Sequence, residues 1–449
     1  MALARDSYFF CGIGGSGMSA IAQVLRHRGA DVRGSDRGFD RGQNQATADA
    51  LRAQGIEIVP QDGSAVAGCG TLVVSTAVEE TIPDVRAALA AGVPIRRRAQ
   101  VLAEDIFNGH HGIAIGGTSG KTTVTGMVGQ ILAHAGRRPT VVNGGIMVNV
   151  KRPPLLGNAL PGDPDLPIIE ADESDGTIAY YQPHVALITN VSKDHKPIAE
   201  LRPLFRDFIA RATHSVTNAD CAESQALGPS TRQFSLADVC ELRNRADGSS
   251  FRLEGVDFEL PVPGQHNVAN ALAAIAACEC VGVSIAESAA ALAEFAGIGR
   301  RLEVIGRSRG IKVIDDFAHN PDKIAAALAA LKLGGGRLRV MFQPHGYAPT
   351  RFLWDGLVSA FSGGLAPDDL LLLPDIYYAG GTTTADVSSA DLAADIRQAG
   401  AACEHHSSRA TIAERAIAES AAGDCIVVMG ARDPSLALFA REIFEQLGG

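Results

Sequence analysis

Gly116-Gly117-Thr118-Ser119-Gly120-Lys121-Thr122-Thr123 lies between an apolar run, Gly112-Ile113-Ala114-Ile115, and a helical pattern from Thr122 to His134. Glycines at such a junction let the backbone turn with its N–H groups pointing inward, where they cradle phosphate oxygens at a helix N-terminus. Lys121 could reach β- and γ-phosphates, and the Thr122 hydroxyl could ligate Mg²⁺. Gly117, Thr118, Ser119, Gly120, Lys121, Thr122 and Thr123 therefore read as an ATP site. The strict P-loop spacing would need glycine at position 115, which is Ile115, so this is a shortened variant. A glycine-rich turn with an incidental lysine is the bland alternative, and the flanking strand and helix speak against it.

A second glycine pattern, Gly12, Gly14 and Gly17, follows the apolar run Tyr8-Phe9-Phe10-Cys11, and Asp36 ends the next strand. The pattern fits a dinucleotide site, and equally any diphosphate held at a helix N-terminus. A purely structural tight turn stays open as a third reading. Val73-Val74-Ser75-Thr76-Ala77 is a strand ending in hydroxyl side chains at the carboxyl edge of the same sheet, the edge where open α/β sheets hold ligands. Gly14, Gly15, Ser16, Gly17, Met18, Asp36, Ser75, Thr76 and Ala77 form the candidate second phosphate site.

Two more strand ends carry ligand-type residues. Ile168-Ile169-Glu170-Ala171-Asp172-Glu173-Ser174-Asp175 runs into a cluster of acids, and Ile188-Thr189-Asn190-Val191-Ser192-Lys193-Asp194-His195 ends similarly. A carboxylate and an imidazole at neighbouring strand ends, Glu170 and His195, could hold Mg²⁺ beside the ATP γ-phosphate. A solvated acidic loop is the alternative for the first segment. Further on, His266, Asn267 and Asn270 open an alanine-rich helix, with Asn267 and Asn270 on one face. Helix capping explains one asparagine, not the set. Arg300-Arg301 supplies a paired cation that could stabilise transferred phosphate, and Asp315-Asp316-Phe317-Ala318-His319 ends what reads as the first strand of the last unit.

Strands alternating with helices must position these groups, which predicts α/β architecture with parallel sheets and right-handed crossovers. The chain has 449 residues, enough for about three domains. Polar, glycine-containing stretches near Asn108–Gly112 and Ile298–Arg301 suggest boundaries at 1–107, 108–299 and 300–449. Residues 240 to 262 read as hairpin strands. Lys plus Arg is 40 against 50 Asp plus Glu, a formal charge of -10, which argues against coating nucleic acid or an anionic membrane. The N-terminus lacks a basic region followed by an apolar run, and no apolar stretch approaches a membrane span. Eight scattered cysteines fit no zinc template and suit a reducing, cytoplasmic compartment.

In this order the motifs resemble the Mur ligases of bacterial cell-wall synthesis, most closely the alanine-adding branch. Gly12 to Met18 with Gly34-Ser35-Asp36, Glu170 to Asp175, and Phe342-Gln343-Pro344-His345 followed by Thr350-Arg351 carry the resemblance, which runs over nearly the whole chain. It implies a Rossmann-like UDP-substrate domain, a central P-loop ATPase domain and a C-terminal Rossmann-like acceptor domain. It also implies an ATP-dependent, Mg²⁺-requiring ligase in which a UDP-N-acetylmuramate-type carboxylate becomes an acyl phosphate that an amino acid, L-alanine foremost, then attacks. Position by position, Lys121 would hold the β/γ-phosphates, and Thr122, Glu170 and His195 would serve magnesium. Asn267 and Asn270 would line the adenine side. Arg301 and Asp316 would reach the nucleotide, His319 would lie near the reaction centre, and His345 and Arg351 would face the acceptor.

No lysine stands between Lys196 and Lys312, so the carbamylated lysine of some Mur ligases has no candidate there. The departures fall in Ser119, where the alanine-adding enzymes usually carry histidine, in Lys196-Pro197-Ile198 after Asp194-His195, and in Gly346-Tyr347-Ala348-Pro349. Gly430-Ala431-Arg432-Asp433-Pro434 likewise replaces a more glycine-rich ending. A different amine or peptide acceptor, or a donor outside peptidoglycan, is therefore the second reading. A nicotinamide dehydrogenase would use the first glycine pattern but leave the P-loop unexplained. A P-loop kinase would leave the second phosphate site unexplained, and a ligase turned binding module would not need to keep Lys121, Glu170, His195, Asn270 and Arg301.

Overall fold

The computed structural model describes residues 6–75, 81–173, 176–193, 196–378, 384–433 and 435–449. Two compact units emerge: Met1–Val239 with Leu253–Phe258 and Ala269–Ile298, and Cys240–Arg252 with Glu259–Val268 and Gly299–Gly449.

In the first unit, five parallel strands stand in the order Glu57–Val59, Asp31–Ser35, Ser7–Cys11, Thr71–Val74 and Ile95–Arg97. The chain starts at the central strand, winds outward to one side, then returns to the other. That reversal opens a crevice beyond the carboxyl ends of Ser7–Cys11 and Thr71–Val74. A seven-stranded sheet follows in the order Arg232–Phe234, His214–Asn218, Val185–Ile188, Ile113–Gly116, Asp163–Glu170, Pro139–Val142 and Ala159–Leu160, only the last pairing antiparallel. Ile113–Gly116 and Val185–Ile188 are buried along their whole length. Their unbroken β-branched and aliphatic runs suit strands covered by helices on both faces.

Register explains how distant motifs meet. Ile115 pairs with Glu170 on one side and with Leu187 on the other, and Gly116 pairs with Ile188. The residues that leave these three strands, Gly117, Ala171 and Thr189, therefore emerge together at one sheet edge. Helix Lys121–His134 starts from that edge and buries Val124, Met127, Val128, Ile131 and Leu132.

The second unit is built on six strands in the order Glu303–Ser308, Ile311–Asp316, Cys425–Gly430, Leu338–Gln343, Leu370–Leu373 and Cys403–His405. Ile311–Asp316 was expected to open this unit, but Glu303–Ser308 precedes it as an antiparallel edge. The signal is local: Arg309 and Gly310 both take positive φ, 52° and 75°, the requirement of a two-residue hairpin turn. The edge strand holds only intermediate and exposed residues, which hides it from a search for continuous apolar runs. Strands Val239–Arg245, Gly248–Leu253 and Val256–Leu260 form a small separate sheet joined by two-residue turns, in line with the expected hairpins.

Candidate active site

Gly117 and Gly120 adopt φ of 120° and 90°, a region L-residues rarely enter, and this turns the loop tightly into its helix. The neighbouring strand end clamps the turn. Thr118 N–H donates to the Asn190 carbonyl at 3.0 Å, and Ser119 N–H donates to the Asn190 side-chain oxygen at 3.0 Å. The Ser119 carbonyl accepts from Thr189 Oγ1 at 2.6 Å and from Asn190 Nδ2 at 3.0 Å. A Cβ on Gly117 would collide with Thr189 Oγ1, and one on Gly120 would collide with Asn270 Oδ1. Asn270 of helix Gln265–Glu279 is thus set directly against the phosphate loop.

Lys121 Nζ lies 2.6 Å from the Gly117 carbonyl and 2.8 Å from Glu173 Oε2. Burial alone would pull its pKa down, but the carboxylates of Glu173, Asp172 and Glu170 outweigh it and the net shift is upward. Thr122 Oγ1 donates to Glu170 Oε2 at 3.0 Å, and the other Glu170 oxygen accepts from Gly144 N–H. Thr123 is buried in the first helical turn. The Ser119 hydroxyl is buried without a hydrogen-bond partner among the described residues. His195 lies outside the described residues.

The first glycine turn forms a second centre. Gly14 N–H donates to Asp36 Oδ2 at 3.0 Å, and the other oxygen caps helix Arg37–Asp40 through Gly38 N–H at 2.8 Å. Asp36 therefore braces the turn. Gly15, Ser16, Gly17, Met18 and Ser75 line a cavity of about 210 Å³ together with Arg97, Arg98 and Thr177. Thr76 and Ala77 lie outside the described residues. A Cβ at Gly17 would overlap the Arg98 guanidinium, so this glycine admits a cation to the helix N-terminus. Two positive features, the arginine and the helix dipole, converge on one cavity, which suits a diphosphate. Arg97, Arg98 and Thr177 were not singled out from sequence. The run Arg96-Arg97-Arg98 at a strand end was the available signal. Behind the cavity, Asn158 donates to the Ser16 carbonyl at 2.6 Å and accepts from Gln23 Nε2 at 2.9 Å, fixing this turn against the seven-stranded sheet.

In the second unit, Arg300 Nε donates to Asp315 at 3.0 Å, while burial pushes the Asp315 carboxyl up to about 6 against the opposing pull of Arg300. Arg301 lies 4.8 Å over the Phe317 ring. Asp316 accepts from Leu302 N–H and Ala318 N–H, both at 2.7 Å. Burial raises its pKa, with Arg301 opposing. His319 rests edge-on to Phe317 and to His345, with ring centres 5.5 Å apart in each pair. Arg301 and His319 thus meet on Phe317, a residue not foreseen as functional, while His345 joins through His319 and Asp316 through the charge of Arg301. Arg351 stands on helix Tyr347–Phe352, ion-paired with Asp386. Asn267 is buried, and its amide donates to the Pro263 carbonyl at 2.8 Å.

Three family profiles match: Mur ligase family, catalytic domain, over residues 7–106; Mur ligase middle domain over 115–278; and Mur ligase, glutamate ligase domain, over 300–432. The chain is 34% identical to a UDP-N-acetylmuramate–L-alanine ligase of Synechococcus sp. (strain RCC307), covering 96% of this chain and 94% of that one. The chain belongs to the Mur ligase family. This Mur ligase is also 36% identical to the protein of the same name from Agrobacterium fabrum, over 94% of this chain and 93% of its relative. Its fold matches the crystal structure of a UDP-N-acetylmuramate-alanine ligase from Thermotoga maritima with a TM-score of 0.81 and 26% identity, covering 98% and 99% of the two chains. The Mur ligase is accordingly an α/β protein of the three-domain family architecture. Among the described residues no helix is long and apolar enough to cross a membrane.

Proposed function

We propose that this enzyme joins L-alanine to the carboxylate of UDP-N-acetylmuramate, with ATP converted to ADP and phosphate. The observation that carries the reading is the Thr122–Glu170 pair beside the phosphate loop, at 3.0 Å, in a chain similar over nearly its whole length to ligases of that name. A carboxylate is a poor electrophile until one oxygen becomes a phosphate leaving group. Its oxygen attacks the γ-phosphorus and ADP departs. The amine then attacks the acyl carbon, loses a proton, and the tetrahedral adduct expels phosphate.

The side chains divide this work. Backbone N–H groups of Gly120 and Lys121 at the helix start hold phosphate oxygens, and Lys121 offers charge to the bridging region, where it matters most as charge builds up. The Thr122 hydroxyl and Glu170 carboxylate are hard oxygen donors 3.0 Å apart, a pair that fits Mg²⁺, with His195 as a further ligand. Bound there, Mg²⁺ would neutralise phosphate charge. Asn270 and Asn267 serve the nucleotide base, and Arg301 and Asp316 the nucleotide from the last domain. His319 stands near the reacting carboxylate, and His345 with Arg351 receives the acceptor. Gly14 to Met18, Ser75, Thr76 and Ala77, with Asp36 as brace, hold the UDP portion. The domains run 1–107, 108–299 and 300–449, and the enzyme works in the cytoplasm.

Gly346-Tyr347-Ala348-Pro349 favours a second reading, a Mur-type ligase with another amine or peptide acceptor, because Tyr347 here packs on Tyr378 with ring centres 5.3 Å apart. Phosphate release from ATP and Mg²⁺ with UDP-N-acetylmuramate, amino acids and short peptides added singly, decides between them. Release only with L-alanine, and a matching UDP-linked product, supports the first. Release only with another amine transfers the assignment to the second, and silence throughout rejects UDP-N-acetylmuramate as the donor or the activity itself.

A further inference from the structure

An ammonium group has three N–H donors in tetrahedral array. Two donors of Lys121 are committed, one to the Gly117 carbonyl at 2.6 Å and one to Glu173 Oε2 at 2.8 Å. Two fixed directions determine the third, so the remaining N–H of Lys121 has a set aim. The Gly117 carbonyl belongs to the loop itself. Glu173 is the external reference, and it is 3% exposed. Its own carbonyl accepts from Lys196 Nζ at 3.2 Å, so the residue is held from the backbone as well. Glu170, three positions earlier, engages Thr122 and Gly144 instead. The two acids therefore have separate tasks.

We propose that Glu173 is a positioning residue for phosphoryl transfer, aiming the Lys121 ammonium at the phosphates while Lys196 holds the Glu173 segment in place. The inference rests on reading the chain as an ATP-dependent ligase. Lys196 belongs to the segment that departs from the family pattern, so this chain carries its own brace for the acid. The charged groups facing Lys121 are Glu173, Asp172 and Glu170, with Lys196 on the main-chain side of Glu173. A buried ion pair that merely stabilised the fold would leave kcat unchanged once the protein is folded.

The test uses the full chain and two variants, Glu173→Gln and Glu173→Asp, with thermal unfolding as a folding control. ATP binding is followed by calorimetry, and turnover by phosphate release. Glu173→Gln should lower kcat at least about tenfold while KM for ATP moves less than about threefold. Glu173→Asp keeps the charge but shortens the reach, so its kcat should stay low while KM for ATP stays within about threefold. Wild-type kcat in either variant overturns the proposal, and so does a rise in KM for ATP as large as the fall in kcat. If Glu173→Gln does not fold, the kcat of Glu173→Asp decides alone. A wild-type chain that binds ATP yet never releases phosphate fails the ligase reading, whereas wild-type kcat in a variant of an active enzyme fails Glu173 alone.

Discussion

The Thr122 hydroxyl donates to Glu170 at 3.0 Å, although 48 positions separate the two residues. They meet because Ile113–Gly116 and Asp163–Glu170 are adjacent parallel strands whose ends reach the same sheet edge. Hydroxyl and carboxylate in contact form a hard oxygen pair, and the consequence is measurable. Glu170→Gln preserves shape but removes the charge, so turnover should fall by roughly 10²-fold or more, as when an electrostatic catalytic group is lost. A magnesium titration of the rate reads the effect directly. A variant with wild-type Mg²⁺ dependence would remove Glu170 from the metal site.

Gly117→Ala should weaken ATP binding. The substitution forces a side chain into φ of 120° and into contact with Thr189 Oγ1 and the Asn190 carbonyl. Strained backbone of this kind costs on the order of 1–3 kcal/mol, so about a tenfold or larger rise in Kd is expected by calorimetry. Unchanged affinity would mean that the loop does not hold the phosphates.

Gly17→Ala should act on the other nucleotide. A methyl group there displaces the Arg98 guanidinium from the first helix N-terminus. KM for the UDP-linked substrate should rise about tenfold, with KM for ATP unmoved, as expected when a charge-assisted phosphate contact is lost. Arg98→Ala should reproduce the split. An effect on both nucleotides alike would place Arg98 outside the UDP site.

His266 predicts an acid limit on stability. Burial, with Arg301 nearby, holds its pKa at about 4, against an ordinary 6.5. The unfolded chain therefore binds the proton more readily than the folded one. The stabilisation is fully present above pH 6.5 and is lost as pH falls towards 4, a change of order 3 kcal/mol. Urea midpoints measured across that interval should decline less steeply in His266→Gln. Parallel pH profiles for the two proteins would contradict the assignment.

Much of this site was legible because its motifs are local. Gly117, Gly120, Lys121 and Thr122 adjoin a strand and a helix whose apolar patterns are plain, and a phosphate loop is defined by backbone conformation over a few residues. The same holds for Gly14 to Met18. Glu173 and Asn190 were visible only as ligand-type residues at strand ends. Which acid would meet Thr122 and which would meet Lys121 depends on the register of Ile115 against Glu170, and nothing in a run of acids encodes that choice. Arg98 escaped notice because its partner is the missing side chain of Gly17, a contact defined by an absence. Phe317 carries no motif of its own, and its part in the site comes from Arg301 and His319 lying on its ring.

Residue order alone determined the α/β alternation, the two glycine-rich phosphate turns and the acidic strand end, since each follows from periodicity, turn chemistry or a short motif. Tertiary structure decided the pairings across the sheets: Thr122 with Glu170, Lys121 with Glu173, Gly120 with Asn270, Gly17 with Arg98. Local patterns set backbone conformation because their interactions span a few residues. Pairings between remote segments depend on strand order and register, which the whole buried core selects by how its side chains pack.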